Sequence, residues 1–213
     1  EGRTETADYT AIEVVRRDTL AQVAEVRGHF DPAGAEFLDL VYWLGRAYNS
    51  GQMIPDITGG WGHALMTDLQ HRNYPNIWQW RRRDDMTEKV SSRLGFYYTR
   101  RDKKWLVHNA VKTLQRERPK VQSHLLLTEL RNFLTIALDE WGASPSTHDD
   151  LCNAYMLALL GATDERPHVI EPLPADKPKA EQAPWKFHDV DADLDSGLPS
   201  RVGSYIDRVT SIQ

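Results

Sequence analysis

Three acids in two places have the types and spacing that divalent-metal chemistry requires. Asp56 closes a short extended segment at residues 52–57, and His148-Asp149-Asp150 opens an apolar helix roughly ninety residues later. Phosphodiesters resist hydrolysis because the anionic backbone repels an attacking hydroxide. Two divalent ions about 4 Å apart overcome this, one activating water and the other stabilising the leaving oxygen. Magnesium favours carboxylate oxygens and retains several waters, so carboxylates from one strand end and one helix start supply most of such a site.

The same residues also have a purely structural reading. Acids in the first turn of a helix stabilise the positive end of its dipole by ~0.3–1 kcal/mol. Ser146 or Thr147 can supply the N-cap of that helix. Asp56 alone can be a turn residue, and His148 alone a local hydrogen-bonding group. Residue types by themselves leave both readings open.

The elements that must position these acids follow from hydrophobic periodicity. Residues 9–16 and 20–26 are β-branched runs joined by Arg17-Asp18-Thr19, which predicts a hairpin. Asp31-Pro32 opens a helix along which Phe37, Leu40, Val41, Leu44 and Tyr48 recur at helical spacing, and Asn49-Ser50-Gly51 ends it. Residues 52–57 are a strand candidate weakened by Pro55, which has no N–H for a ladder. Thr58-Gly59-Gly60-Trp61-Gly62 turns into a helix at 63–71, and residues 77–80 form an aromatic strand in which Trp78 and Trp80 read as core in preference to base-stacking groups. Residues 81–104 read as basic and irregular, with helices following at 105–117 and 125–138. The acid-bearing helix runs from about Asp149 to Gly161. This order predicts an α/β domain over residues 1–163, a mixed sheet flanked by helices. Residues 164–213 carry repeated prolines among charges and read as a poorly ordered linker or tail, with a short docking helix at 200–212.

Composition narrows the partners. The chain of 213 residues has a formal charge of −5, but the charges are segregated. Residues 72–120 hold 14 Lys and Arg against 5 Asp and Glu, whereas residues 164–213 hold 6 against 10. A basic middle third suits nucleic acid, or is simply a solvated face. No apolar run approaches the length needed to cross a bilayer. Cys152, the single cysteine, excludes an internal disulfide and reads as a buried thiol. There is no Gly-x-x-x-x-Gly-Lys-Ser/Thr run for ATP, and no paired cysteines or His-Glu-x-x-His for zinc.

Several short passages, in order, resemble the nuclease domain of the large terminase subunit of tailed bacteriophages. They are Glu1-Gly2 with Ala7-Asp8-Tyr9-Thr10-Ala11-Ile12; Tyr48-Asn49; Ile54-Pro55-Asp56; Gly59-Gly60-Trp61-Gly62-His63-Ala64; and Tyr74-Pro75-Asn76-Ile77. Leu94-Gly95-Phe96, Thr99-Arg100-Arg101, the helix around 126–133, and His148-Asp149-Asp150 with Ala154 complete the set, which covers roughly residues 1–162.

The resemblance implies an RNase H-like fold and a metal-dependent endonuclease that cuts concatemeric double-stranded DNA during viral genome packaging in the host cytoplasm. It implies two Mg²⁺ or Mn²⁺ ions held by Asp56, Asp149 and Asp150, with His148 outside the ligands, orienting a carboxylate or a water, and Asp8 likewise outside them. Arg81, Arg82, Arg83, Arg100, Arg101, Lys103 and Lys104 are expected to meet DNA phosphates. Implied partners are an ATPase domain of the same protein, a portal and a small terminase subunit. Three departures stand out. The family's first aspartate is expected about two residues before Glu1, so the first strand is expected to be incomplete. The second acid, often glutamate, is aspartate here, and Thr58-Gly59-Gly60 replaces an Asn-rich turn. Two other readings remain: another RNase H-like nuclease such as a resolvase, and a non-catalytic DNA-binding or portal-docking module.

Overall fold

The computed structural model describes residues 9–83, 90–137, 140–163 and 209–211, with backbone only for Trp61 and for residues 81–83, 90–92 and 209–211. These form a mixed α/β architecture of five helices and small antiparallel sheets. The predicted hairpin is present. β1 (Thr10–Val15) and β2 (Gln22–Gly28) pair antiparallel, with a bulge at Val14/Val15. Arg16 grips Asp18 through two bonds of 2.8 Å across the turn.

Helix α1 (Ala35–Ala47) buries Phe37, Val41 and Leu44, the i, i+4, i+7 stripe expected of it. It stops where Asn49 and Ser50 take left-handed backbone at φ 58 and 52. Residues 52–57 then run extended without joining a regular ladder. They make isolated parallel bridges, Met53 to Ile77 and Asp56 to Phe96. Pro55 contributes only its carbonyl, to the N–H of Phe96. Helix α2 (Trp61–His71) follows.

Three expectations need correction. Residues 81–104 hold regular elements: β3 (Gln79–Arg83) pairs with β4 (Val90–Leu94), and helix α3 already begins at Arg100, ending at Glu117; residues 84–89 lie outside the described residues. The hydroxyl of Thr99 accepts the Asp102 N–H and donates to its carboxylate at 2.6 Å, starting α3 five residues before the apolar periodicity becomes visible. Second, the helix placed at 125–138 splits. Helix α4 (His124–Asn132) passes directly into β5 (Phe133–Ala137), which pairs with β6 (Glu140–Ala143). The aromatic and β-branched run Phe133-Leu134-Thr135-Ile136 prefers the pleated partner to another helical turn. Third, within the stretch proposed as a terminal docking helix, Val209–Ser211 is a strand, β7, on the far edge of β2. The rest of the tail lies outside the described residues.

Helix α5 (Asp150–Thr163) is the centre of the core, with Leu151, Tyr155 and Leu159 fully buried. It packs against β1, α3 and α4. Trp78, Phe96, Leu106 and Leu126 join it, and Trp80 is partly buried against the same cluster. Cys152 is buried among them, and desolvation pushes its thiol up to about 12, as an inert structural cysteine requires. No helix among the described residues is long and apolar enough to cross a membrane.

One buried polar side chain ties the hairpin to the helices. Gln22, fully buried, donates to Glu13 at 2.9 Å and to Glu25 at 3.3 Å. Its carbonyl accepts the N–H groups of Gln122 and Ser123, the residues that lead into α4. Burial, aided by the neighbouring Glu25, raises the Glu13 carboxyl to about 9. The folded protein therefore keeps this proton between pH 4.5 and about 9, where the unfolded chain has lost it, so stability declines as pH rises through that window. Replacing Glu13 with Gln keeps an acceptor for Gln22 and removes the titration. Urea unfolding at several pH values should show Glu13→Gln gaining on the wild type as pH rises from 5 towards 9. Parallel pH profiles for the two proteins would contradict this assignment.

Candidate functional site

The acids are brought together by two close backbone approaches. The Asp56 carboxylate accepts the N–H of Thr58 at 2.8 Å, and the Thr58 hydroxyl accepts the N–H of Tyr98 at 2.8 Å. Gly59 and Gly60 turn the chain with φ of 74 and 96, conformations that favour glycine. Gly62 then passes so close to Asp56 that a Cβ there would lie 1.8 Å from the Asp56 carbonyl oxygen. The Gly-rich turn therefore allows α2 to press against the acid-bearing segment.

At the other acid pair, the Asn153 N–H donates to the Asp149 carbonyl, so Asp149 opens α5. Neither Ser146 nor Thr147 provides the expected N-cap among the described hydrogen bonds. Ser146 takes left-handed backbone at φ 67, and the Thr147 hydroxyl turns back to the Ser144 carbonyl at 2.8 Å. The first turn is met instead by Glu129 of α4, whose carboxylate accepts the Cys152 N–H at 3.1 Å. Free N–H groups at a helix start need such a partner, and a carboxylate there also suits the dipole. Burial raises the Glu129 carboxyl above its usual range, with the Cys152 N–H and Arg27 acting in the opposite direction. The Arg27 guanidinium stands 3.6 Å from it.

Lys103 connects the two acid sites. Its ammonium is 3.8 Å from the Asp149 carboxylate, and the same charge acts on Asp56. Burial outweighs that help and the bonds from Thr58, leaving the Asp56 carboxyl raised. The Tyr98 phenol, largely buried, is held well above its ordinary value first by burial and then by the charges of Asp56 and Asp149. His148 lies 3.7 Å from Asp150 and sets its ring edge-on to Tyr9 at 4.8 Å.

Asp56, Asp150, Tyr98, Lys103 and Asn153 line one end of a cavity of about 1060 Å³. The Tyr98 hydroxyl and the Asn153 Oδ1 are buried there without a hydrogen-bond partner among the described residues. Among the described residues no three His, Cys, Asp or Glu side chains converge tightly enough to hold a metal. The donor type nevertheless fits magnesium, which takes oxygen ligands and is commonly bound through one or two carboxylates, with waters and substrate phosphates completing its shell. Asp56, Asp150 and Glu13 are the carboxylates that line the cavity, and Glu13 is held by Gln22.

Of the cations expected to contact DNA, Arg100, Arg101 and Lys104 are exposed along the first turns of α3, and Arg100 pairs with Glu140. Lys103 turns inward to the acids. Arg81, Arg82 and Arg83 have their backbone in β3, and their side chains lie outside the described part. Asp8 lies outside the described residues. Sequence reasoning missed Glu129, Tyr98 and Asn153. The one available signal was an acid on the apolar face of α4, three residues after Leu126.

Comparison with protein-family models, curated proteins and solved structures gives no match.

Two substitutions test this geometry. Lys103→Met removes the cation that offsets burial, so the Asp56 carboxyl should titrate higher, as followed by carboxyl-carbon NMR; an unmoved titration would refute the coupling. Gly62→Ala forces the turn away from Asp56 and should cost about 1–3 kcal/mol of unfolding free energy in urea.

Proposed function

We propose that the chain is the nuclease part of a terminase-like DNA-packaging enzyme, a divalent-metal-dependent endonuclease acting on double-stranded DNA. The observation that carries this reading is that Asp56 and Asp150 line one cavity, with Asp149 and Asp56 sharing the field of Lys103. An RNase H-like arrangement accords with the acid-bearing segment 52–57 bridging parallel to two neighbours, and with an acid-tipped helix packed on β1. Host cytoplasm, an ATPase domain in the same polypeptide, a portal and a small terminase subunit belong to this proposal.

In this reading Asp56 and Asp150 hold Mg²⁺ or Mn²⁺, with Asp149 beside them. When bound, the metal supplies an activated water and charge for the leaving oxygen. The chain's own groups do the rest. His148 fixes the orientation of Asp150, and Lys103 screens the mutual repulsion of Asp149 and Asp56. Tyr98 and Asn153 offer polar atoms at the buried end of the cavity. Arg100, Arg101 and Lys104 meet backbone phosphates, contacts that carry little sequence information.

Nicking of supercoiled plasmid with Mg²⁺, Mn²⁺ or EDTA tests the proposal. Cutting should depend on the metal. It should fall in Asp56→Asn, and in Asp149→Asn with Asp150→Asn, by more than the roughly 10–100-fold that loss of an outer partner of a metal ligand costs. Undiminished cutting by the double variant would sink it. DNA affinity should fall with salt, and replacing Arg100, Arg101 and Lys104 with Ala should reduce the logarithmic salt slope by about 0.9 for each phosphate no longer neutralised.

A second reading has an observation of its own, the absence of a three-ligand cluster among the described residues. A non-catalytic DNA-binding module would keep the salt-dependent binding and show no metal-dependent turnover.

A further inference from the structure

The cavity that ends at the acids continues as a groove between two strand edges. On one side is β1, an edge strand whose only ladder partner among the described strands is β2. On the other is the segment 52–57. Its bridges engage Met53, Pro55 and Ile57, all on the side facing residues 76–78 and 96. The Ile54 N–H and C=O and the Asp56 N–H, which alternate with these, make no backbone hydrogen bond among the described residues.

Two helices close the groove above and below. Met53 packs so tightly on α1 that a Cβ on Gly45 would strike its Cε, and a Cβ on Gly161 of α5 would lie 2.8 Å from the Ile54 Cδ1. Adjacent side chains of this segment thus point to opposite helices, as they do along a strand. Phe37, Val41 and Leu44 of α1, and Ala154, Leu157 and Ala158 of α5, continue the same two apolar walls along the groove.

We propose that this groove receives one extended, apolar polypeptide strand from outside these 213 residues, hydrogen-bonded to β1 on one side and to residues 52–57 on the other. The polar groups awaiting partners are strung along two backbones, which suits a peptide rather than a compact small molecule. A strand covered by helices on both faces has no solvent side, so its sequence is a near-continuous apolar run rather than an alternating one. The six residues of β1 set its length, about 20 Å. Asp56, Asp150 and Lys103 at one end favour a polar residue there. Residues 1–8 contain a single apolar side chain, Ala7, and in residues 164–208 apolar residues never come more than two in a row. Neither segment has the composition for this slot. The inference is independent of the nuclease reading.

The test uses the full chain with capped octapeptides that have six central Val, Ile or Leu residues and a Lys or Asp at each end. Matched controls place proline at alternate positions. Binding is read by fluorescence anisotropy and by amide hydrogen exchange. The apolar peptides should bind saturably and slow exchange in β1 and at Ile54 by about tenfold or more, while the proline controls do neither. Ala158→Trp fills the groove from the α5 side and should abolish binding with an unchanged circular dichroism spectrum. Should that variant misfold, Val41→Arg blocks the opposite wall and serves in its place. Unchanged exchange at these amides with every peptide of the set would overturn the proposal, as would undiminished binding to the blocked chain. So would a dimer, seen by sedimentation, that protects the same amides without peptide, since the groove would then belong to a second copy.

Discussion

Helix α5 is apolar around almost its whole circumference. Leu151, Cys152, Tyr155, Met156, Leu157, Leu159 and Leu160 are all buried, and the side with Asn153, Ala154 and Ala158 is partly open, towards the cavity. A helix of this kind is stable only inside the protein, and full burial of each large side chain stabilises the fold by about 1.5–3 kcal/mol. β1, α3 and α4 therefore pack around it, and the position of its first turn follows from theirs. Asp149 and Asp150 sit on that turn. Acids carried on a helix locked into the core are held more accurately than acids on a loop, which is what a metal or phosphate site demands.

Burying that helix start has a consequence that the surrounding residues must absorb. N–H groups of a first turn cannot be left without partners in the interior, and here Glu129 of the neighbouring helix meets one of them. Its carboxylate adds to the interior acids Glu13 and Glu25, with Arg27 as the nearby cation. At the start of α5 the Lys103 ammonium stands 3.8 Å from the Asp149 carboxylate. Raised carboxyl values at Glu13, Asp56 and Glu129 all have burial as their largest cause. A bound cation would offset the cost of burial at Asp56, whereas Glu13, raised to about 9, is met by Gln22 instead.

Sequence is most informative where structure is locally determined. The hairpin, α1, α2 and α5 follow from β-branched runs, helical spacing and glycine turns, and so does the placing of Asp56 at the end of an extended segment. Elements set by distant partners are less readable. Residues 52–57 gain their extended form from Ile77 and Phe96, far along the chain, and β5 forms because β6 lies opposite. In α3 the buried stripe Leu106, Val107, Ala110 and Thr113 begins only after the first turns, which carry Arg100, Arg101, Lys103 and Lys104, so only the rest of the helix looks amphipathic. The site shows the same division. Its acids are visible as a motif, whereas Glu129 and Tyr98 acquire their roles only when α4 and the segment between β4 and α3 come to lie beside them. Lys103, one of several basic residues in sequence, is distinguished only by the direction in which α3 turns it.

The two acid sites are linked by a single line of contacts, and that line explains the glycines. Gly62 lets α2 touch the Asp56 carbonyl, Asp56 holds Thr58, Thr58 holds Tyr98, and Tyr98 lies against Lys103, which faces Asp149. An aspartate reaches about one methylene less than a glutamate, so how far its carboxylate projects depends on where the backbone of 52–57 lies. That backbone is fixed on one side by Ile77 and Phe96 and pressed from another by the turn at Gly62. Its remaining edge, towards β1, is the one direction in which the described residues leave it unsupported. The position of Asp56 therefore rests on those bridges and that turn, and a strand seated in the groove, as proposed, would fix the remaining edge as well.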